Sequence, residues 1–205
     1  MTSHLDATRE SYDTVAEDYA VTVRPLFDQD PLGRAMLAAF AEKVRGPVAD
    51  VGCGPGHVTA HLASLGLDVS GVDLSPKMIE LARRQYPDLR FDVGSMTALD
   101  VPDGSLGGLV AWWSIFHLPP ETLPAVFAGF RRTLVIGGRL LIGFHAGDER
   151  LSPERAYGHP VSYDAYLLRP EWVAELLGQA GFEVTARLTM AGKKRPQACL
   201  HARAV

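Results

Sequence analysis

The stretch Val48-Ala49-Asp50-Val51-Gly52-Cys53-Gly54-Pro55-Gly56-His57 decides the fold. A short β-prone run, Val48 to Val51, enters glycines at alternate positions, and a helical pattern follows from Val58 to Leu65. Without Cβ atoms, Gly52, Gly54 and Gly56 can take positive φ and let the backbone approach a ligand. The helix beyond them offers unpaired N–H groups and the positive end of its dipole. Asp50 stands just before the glycines, near the carboxyl end of the strand, where open α/β sheets bind ligands.

Working outward, strands and helices alternate. Asp68 to Val72, Leu89 to Val93 and Leu106 to Trp113 read as strands, the last a continuous apolar run suited to burial on both faces. Helices are expected over Pro76 to Gln85, N-capped by Ser75, and over Pro120 to Thr133. Leu134 to His145 reads as a turn at Gly137-Gly138 followed by a strand, Leu140 to Phe144. Upstream, Thr8 to Phe27 reads as an amphipathic helix that loosens before Pro25. A second helix spans Leu32 to Val44 and stops at Gly46-Pro47. In the tail, a helix over Pro170 to Ala180 stops at Gly181. Phe182 to Met190 and Gln197 to Arg203 then form an antiparallel hairpin through Gly192-Lys193-Lys194-Arg195-Pro196.

This order predicts an α/β fold with a doubly wound, mostly parallel sheet, an N-terminal helical cap over 1–45 and a C-terminal hairpin. The 205 residues fit one domain, and the irregular stretch 146–168 is expected as a lid over the site. A net charge of −4 gives no strongly basic field for nucleic acid, so a small molecule is the expected partner. Cys53 and Cys199 suggest neither a disulfide framework nor a metal site. Met1 to Glu10 lacks a signal-peptide pattern and no run approaches the ~20 apolar residues of a membrane helix, so the cytoplasm is the expected location.

The glycine spacing tests one rival directly. A nicotinamide dinucleotide fingerprint, GxGxxG, needs its third glycine at 57, where His57 stands. A tight turn without a ligand is the plainer alternative. The second acid, in Gly71-Val72-Asp73-Leu74-Ser75, ends the second strand, where its carboxylate can accept hydrogen bonds from two ribose hydroxyls. Taken alone, Asp73 reads equally as a turn residue.

Together these segments resemble the class I S-adenosylmethionine-dependent methyltransferase family, over roughly Val48 to Phe144. Asp50 to Gly56, with Cys53 inside it, looks like that family's first motif, and Gly71 to Pro76 looks like its second. Phe91-Asp92-Val93-Gly94-Ser95-Met96 is similar to the adenine loop, with Ser95 where an acid is common. Trp112 to Pro119 resembles the exit of strand four, and Arg132 to Leu140 the entry to strand five, with Ile136 replacing the usual proline.

The resemblance implies a Rossmann-like sheet of seven strands with one antiparallel edge strand, and S-adenosylmethionine as cofactor. Gly52 and Gly54 would pack on its amino-acid end, Asp73 and Leu74 on its ribose, and Ser95 and Met96 on its adenine. Gly56, Cys53, Asp50, Trp112 and His117 join this set, and Tyr19 either reaches the cofactor carboxylate or packs in the core.

Methyl transfer needs an in-line nucleophile, and a hydroxyl nucleophile also needs a base. His117 and His145 are expected at the carboxyl edge of the sheet and titrate near neutrality, with His117 preferred; either is equally a structurally bonded histidine. Tyr12, Trp113, Phe116, Tyr157, His159 and Tyr163 are candidates for the acceptor pocket, or for ordinary packing. Two alternatives use the same cofactor without methylation: intramolecular cyclisation and 3-amino-3-carboxypropyl transfer. A third is a non-catalytic binding protein, since fold does not determine function.

Overall fold

The computed structural model describes residues 3–192 and 195–205. The expected Lys193-Lys194 part of the basic turn lies outside the described residues.

Seven strands form the sheet: β1 (Val48–Val51), β2 (Val69–Asp73), β3 (Arg90–Val93), β4 (Leu106–Trp112) and β5 (Leu134–His145), then β10 (Phe182–Met190) and β11 (Gln197–Ala204). Their order is β10-β11-β5-β4-β1-β2-β3. The first five pair in parallel, whereas β11 runs antiparallel to both of its neighbours. The antiparallel strand is therefore second from the edge, and the outermost strand is β10. This corrects the expected edge position: the hairpin folds back so that its second arm, Ala198 to Ala202, lies almost wholly buried beside β5.

Chain order reverses between β1 and β4, which lie side by side although β2 and β3 intervene in sequence. Loops leaving such neighbours diverge to opposite faces and open a crevice at the carboxyl ends. Helices α3 (His57–Ser64), α4 (Pro76–Gln85), α5 (Leu123–Thr133) and α6 (Pro170–Gln179) cover the two faces. One core holds Leu109, Phe127, Phe130, Leu140 and Phe144; a second, under α2 (Pro31–Lys43), holds Leu37, Phe40, Val110 and Leu141.

Two expectations need correction. Helix α1 (His4–Asp28) does not loosen before Pro25 but continues through it. Proline removes one donor there, yet Gln29 N–H still bonds to Pro25 O at 3.1 Å, and Arg34 donates to the Phe27 and Asp28 carbonyls that close the helix. Strand β5 begins at Leu134, not after the glycines. Leu106 pairs with Leu134 and Gly108 with Arg139, so β5 spends five residues where β4 spends two. The excess loops out around Gly137, at φ 81°.

The stretch 146–168 contains two small antiparallel ladders: β6 (Arg150–Leu151) with β9 (Ala165–Tyr166), and β7 (Arg155–Ala156) with β8 (His159–Pro160). Its contacts run to α1. His159 Nε2 lies 2.6 Å from Asp18 Oδ2, and Ser162 N–H donates to Ser11 Oγ at 3.0 Å. Helix α1 is in turn fixed to α4: Ser75 Oγ and Lys77 N–H both donate to Asp13 Oδ1, at 2.6 and 3.1 Å.

Gly71, in β2, leaves space for the ring of Phe91 and the thiol of Cys53; a Cβ there would lie 2.6 Å from the ring and 2.8 Å from the sulfur. Gly71→Ala is expected to lower unfolding stability by about 1–3 kcal/mol through overpacking. Urea denaturation checks this, and unchanged stability would contradict the packing described.

Candidate functional site

The glycine loop after β1 has the backbone its sequence predicts. Gly52, Gly54 and Gly56 take φ of 75°, 53° and 84°, a region that only glycine enters readily. Gly52 N–H and Cys53 N–H both donate to Val72 O, at 2.7 and 3.1 Å. Gly54 N–H donates to Asp73 Oδ2 at 2.7 Å, while Ser75 N–H donates to Asp73 Oδ1 at 2.9 Å. Burial pushes the Asp73 carboxyl pKa up, and these N–H donors oppose the rise.

Two cavities open on this loop. The first is lined by Gly52, Gly54, Asp73, Leu74, Ser95 and Met96 on the sheet side and roofed by α1 through Tyr12 and Tyr19. The second and larger one lies toward α2 and β5 and is walled by Phe27, Trp112, Phe116 and Tyr157, with His57 and His145 among its polar groups. Tyr12, Tyr19, Gly52, Gly54 and Trp113 belong to both. Trp113 is one of two non-glycine residues with positive φ among the described residues, at 55°; the other is Tyr157, at 51°. Such a conformation costs a bulky side chain energy and is held by its surroundings. Here Trp113 N–H donates to Gly143 O at 2.9 Å, and its indole packs on Trp112 and His145, with ring centroids 5.7 and 5.3 Å away.

The two candidate bases sit differently. His117 is buried with both ring nitrogens engaged: Nδ1 lies 2.9 Å from Asp164 O and Nε2 lies 2.6 Å from Tyr12 Oη. A carbonyl only accepts, so Nδ1 carries the proton and Nε2 accepts from the tyrosine. Burial lowers the His117 pKa to about 4, and the Asp164 carbonyl only partly offsets it. His4 adds a hydrogen bond to the His117 carbonyl. The ring is thus a neutral link between the exit of β4, α1 and the 146–168 segment; it borders the first cavity, and both of its nitrogens are engaged. His145 lines the second cavity, and its Nδ1 has no hydrogen-bond partner among the described residues. Burial lowers its pKa, as does the Arg195 guanidinium.

Other expected residues divide in the same way. Asp50 is enclosed beneath the loop, where Oδ2 accepts from Thr59 Oγ1 at 2.7 Å, and it does not line the first cavity. Gly56 serves packing instead of a ligand, since a Cβ there would lie 2.8 Å from the Phe91 ring. Cys53 packs with Ile79, Ala82 and Phe91 and borders only the second cavity. Trp112 also belongs to the second cavity, because its ring lies over Gly143 and Gly33 on the α2 side. His159 is paired with Asp18 and lines neither cavity. Tyr163 lines neither as well; it stacks on Tyr12, centroids 5.6 Å apart.

Leu5, Thr8 and Arg9 of α1, together with Ser114, line the first cavity without having been anticipated. His57, Phe27 and Asp30 in the second were likewise missed. Only His57 carried a signal, being the polar residue that directly follows the glycines.

Residues 48–138 match the protein family described as Methyltransferase domain. The demethylmenaquinone methyltransferase of Beutenbergia cavernae is 32% identical over 133 residues, covering 64% of this chain and 55% of that protein. The chain spans about half the length of the curated relatives it matches. Among solved structures, the DhpI–SAH complex superposes with a TM-score of 0.77 at 22% identity, covering 99% of this chain and 98% of that one. The 1,6-didemethyltoxoflavin-N1-methyltransferase of Burkholderia thailandensis, with bound 1,6-didemethyltoxoflavin and S-adenosylhomocysteine, gives 0.75 at 21% identity and covers 97% and 88%. Both share this fold.

The buried carboxyl of Asp50 makes a pH prediction. Burial raises its pKa to about 7, opposed by the Thr59 hydrogen bond and reinforced by Asp73. A folded-state value above the unfolded one means that the fold prefers the protonated form. That contribution is complete below the ordinary value of 3.8 and is lost as pH climbs through about 7. Wild-type stability is therefore expected to fall relative to Asp50→Asn across this window, and parallel urea stabilities of the two proteins would contradict it.

Proposed function

We propose that this chain is a class I S-adenosylmethionine-dependent methyltransferase, a reading supported by the match of residues 48–138 to the methyltransferase domain family, and that it transfers a methyl group from S-adenosylmethionine to a small-molecule acceptor. The observation that carries this reading is the meeting of two cavities over Gly52 and Gly54, one bordered by Asp73, Ser95 and Met96 and the other walled by aromatic rings.

The first cavity fits the cofactor by its own chemistry. A Cβ on Gly54 would find only Tyr19, at 3.7 Å, so the missing side chain leaves open space on the cavity side of the loop. Each Asp73 oxygen accepts one N–H and retains a lone pair for a ribose hydroxyl. Leu74 borders the ribose, while Ser95 and Met96 form the adenine end. Tyr19 and Gly52 border the amino-acid end, beside the second cavity. Bound there, S-adenosylmethionine supplies a methyl group already activated by its sulfonium.

The chain's own share is positioning, exclusion of water and acceptance of a proton. In this reading Trp113 and Phe116 orient the acceptor, and His145, whose ring packs against both at centroid distances of 5.3 and 4.9 Å, takes its proton. His117 acts on position: it fixes the Tyr12 hydroxyl, whose ring stands between the cavities. The 146–168 segment and α1 form the lid, with Tyr157 reaching the acceptor side. A net charge of −4 supports a small molecule over nucleic acid. Among the described residues no helix is long and apolar enough to cross a membrane, and a cytoplasmic location is part of this proposal.

Calorimetry is expected to show uptake of S-adenosylhomocysteine and none of NADH, with Asp73→Asn weakening that uptake about tenfold or more. Preference for NADH would overturn the reading. With any acceptor the wild type turns over, the product should be S-adenosylhomocysteine; methylthioadenosine would indicate a non-methylating reaction. His145→Gln should lower kcat by roughly 10²-fold or more with cofactor affinity retained, and an undiminished rate would remove His145 from the proton path.

A further inference from the structure

The hairpin of β7 and β8 turns on two residues. Ala156 pairs with His159, so Tyr157 and Gly158 form the whole loop. Both take positive φ, 51° and 85°. A two-residue hairpin loop with two left-handed positions is filled best by asparagine followed by glycine. Gly158 meets that demand. Tyr157 does not, because a bulky side chain disfavours this conformation. The rest of the hairpin is well bonded: Val161 N–H donates to Glu154 O at 3.0 Å, and the Arg155 guanidinium donates to Gly158 O at 2.6 Å. Within the hairpin, the disfavoured backbone is therefore confined to one aromatic residue at the tip.

The contacts of that tip run to α1. The Tyr157 ring stands edge-on to Tyr19, centroids 5.1 Å apart and planes at 72°. One residue earlier on α1, Asp18 Oδ2 lies 2.6 Å from His159 Nε2. The hairpin thus grips the helix at two successive residues. Tyr19 also packs edge-on to Tyr12, centroids 5.6 Å apart, and Tyr12 is itself fixed by its bond to His117 and its stack on Tyr163. On the loop side, a Cβ added to Gly54 would lie 3.7 Å from Tyr19 Cε1. Tyr19 and Gly54 border both cavities, whereas Tyr157 borders only the second. Contacts therefore lead from the hairpin tip through Tyr19 to the glycine loop, where the two cavities meet.

We infer that Tyr157 is a positioning residue: from the tip of the β7–β8 hairpin it holds the Tyr19 ring over the glycine loop, at the end of the first cavity that takes the amino-acid part of S-adenosylmethionine. This rests on the cofactor placement proposed above. A ring already held in place needs no further ordering when the ligand arrives, so less of the binding energy is lost. A residue without a ring would satisfy the turn and leave Tyr19 loose.

The test uses the full chain, S-adenosylhomocysteine as probe, and the variants Tyr157→Asn and Tyr157→Phe. In Tyr157→Asn the relieved turn offsets the lost ring packing, so the melting temperature is expected to stay within about 3 °C of wild type. Its affinity for S-adenosylhomocysteine should nevertheless fall about fivefold, with the loss in faster release followed by stopped flow. Tyr157→Phe keeps the ring and should bind as the wild type does. In a Tyr19→Leu background the Tyr157→Asn change should add little further loss, because its effect passes through Tyr19. The inference is overturned if Tyr157→Asn binds with wild-type affinity or melts well below the wild type, if Tyr157→Phe loses as much affinity as Tyr157→Asn, or if the losses at 19 and 157 simply add. Wild-type protein that takes up no S-adenosylhomocysteine would instead sink the methyl-transfer reading, and this inference with it.

Discussion

One carboxylate organises the site. Asp73 stands at the end of β2 and accepts an N–H from the glycine loop through one oxygen and an N–H from the start of α4 through the other. These are charge-assisted bonds, stronger than those between neutral groups. They tie β1, β2 and α4 together at the mouth of the crevice. Ser75, one of the two donors, passes the constraint on by bonding Asp13 of α1. The floor and the roof of the first cavity are therefore positioned through a short chain of bonds that begins at Asp73. Partial burial raises the cost of keeping that carboxyl charged, and the backbone donors offset it.

The second constraint is the direction of the chain as it leaves β4. Trp113 takes a left-handed conformation that its bulk disfavours, and a hydrogen bond to β5 together with the edge-on Trp112 and tilted His145 rings hold it there. The consequence is a wall facing both cavities, shared with Tyr12 and Tyr19 of α1. His117 also lines the first cavity, bonded to Tyr12 on one side and to the Asp164 carbonyl on the other. Helix α1, the exit of β4 and the 146–168 segment thus meet at one neutral imidazole.

Much of the fold was legible in the chain. The bounds of β1, α4 and β10 coincide with the runs read from the residues, because apolar continuity, a Ser-Pro helix start and turn glycines act locally. Less legible were features decided by distant partners. Pro25 signalled a helix end that Arg34, on another helix, postpones. The hairpin was read correctly, but its place in the sheet depends on which arm covers β5. In the site, Gly52, Gly54, Asp73, Leu74, Ser95 and Met96 line the first cavity as expected. Gly56, Cys53 and Asp50 do not, because position in a motif does not say which way a side chain points, or whether a glycine yields to a ligand or to Phe91.

The sequence by itself determined the alternation of strand and helix, the left-handed glycine turn and the acid that faces it, since each follows from backbone sterics and short-range periodicity. Only the tertiary structure decided which histidine is free. His117 and His145 follow similar strands and look equivalent in the chain, yet Tyr12 and Asp164, 105 and 47 residues away from His117, occupy both of its nitrogens. Burial, hydrogen-bond occupancy and the local field belong to a three-dimensional neighbourhood, and no local pattern of residues encodes them.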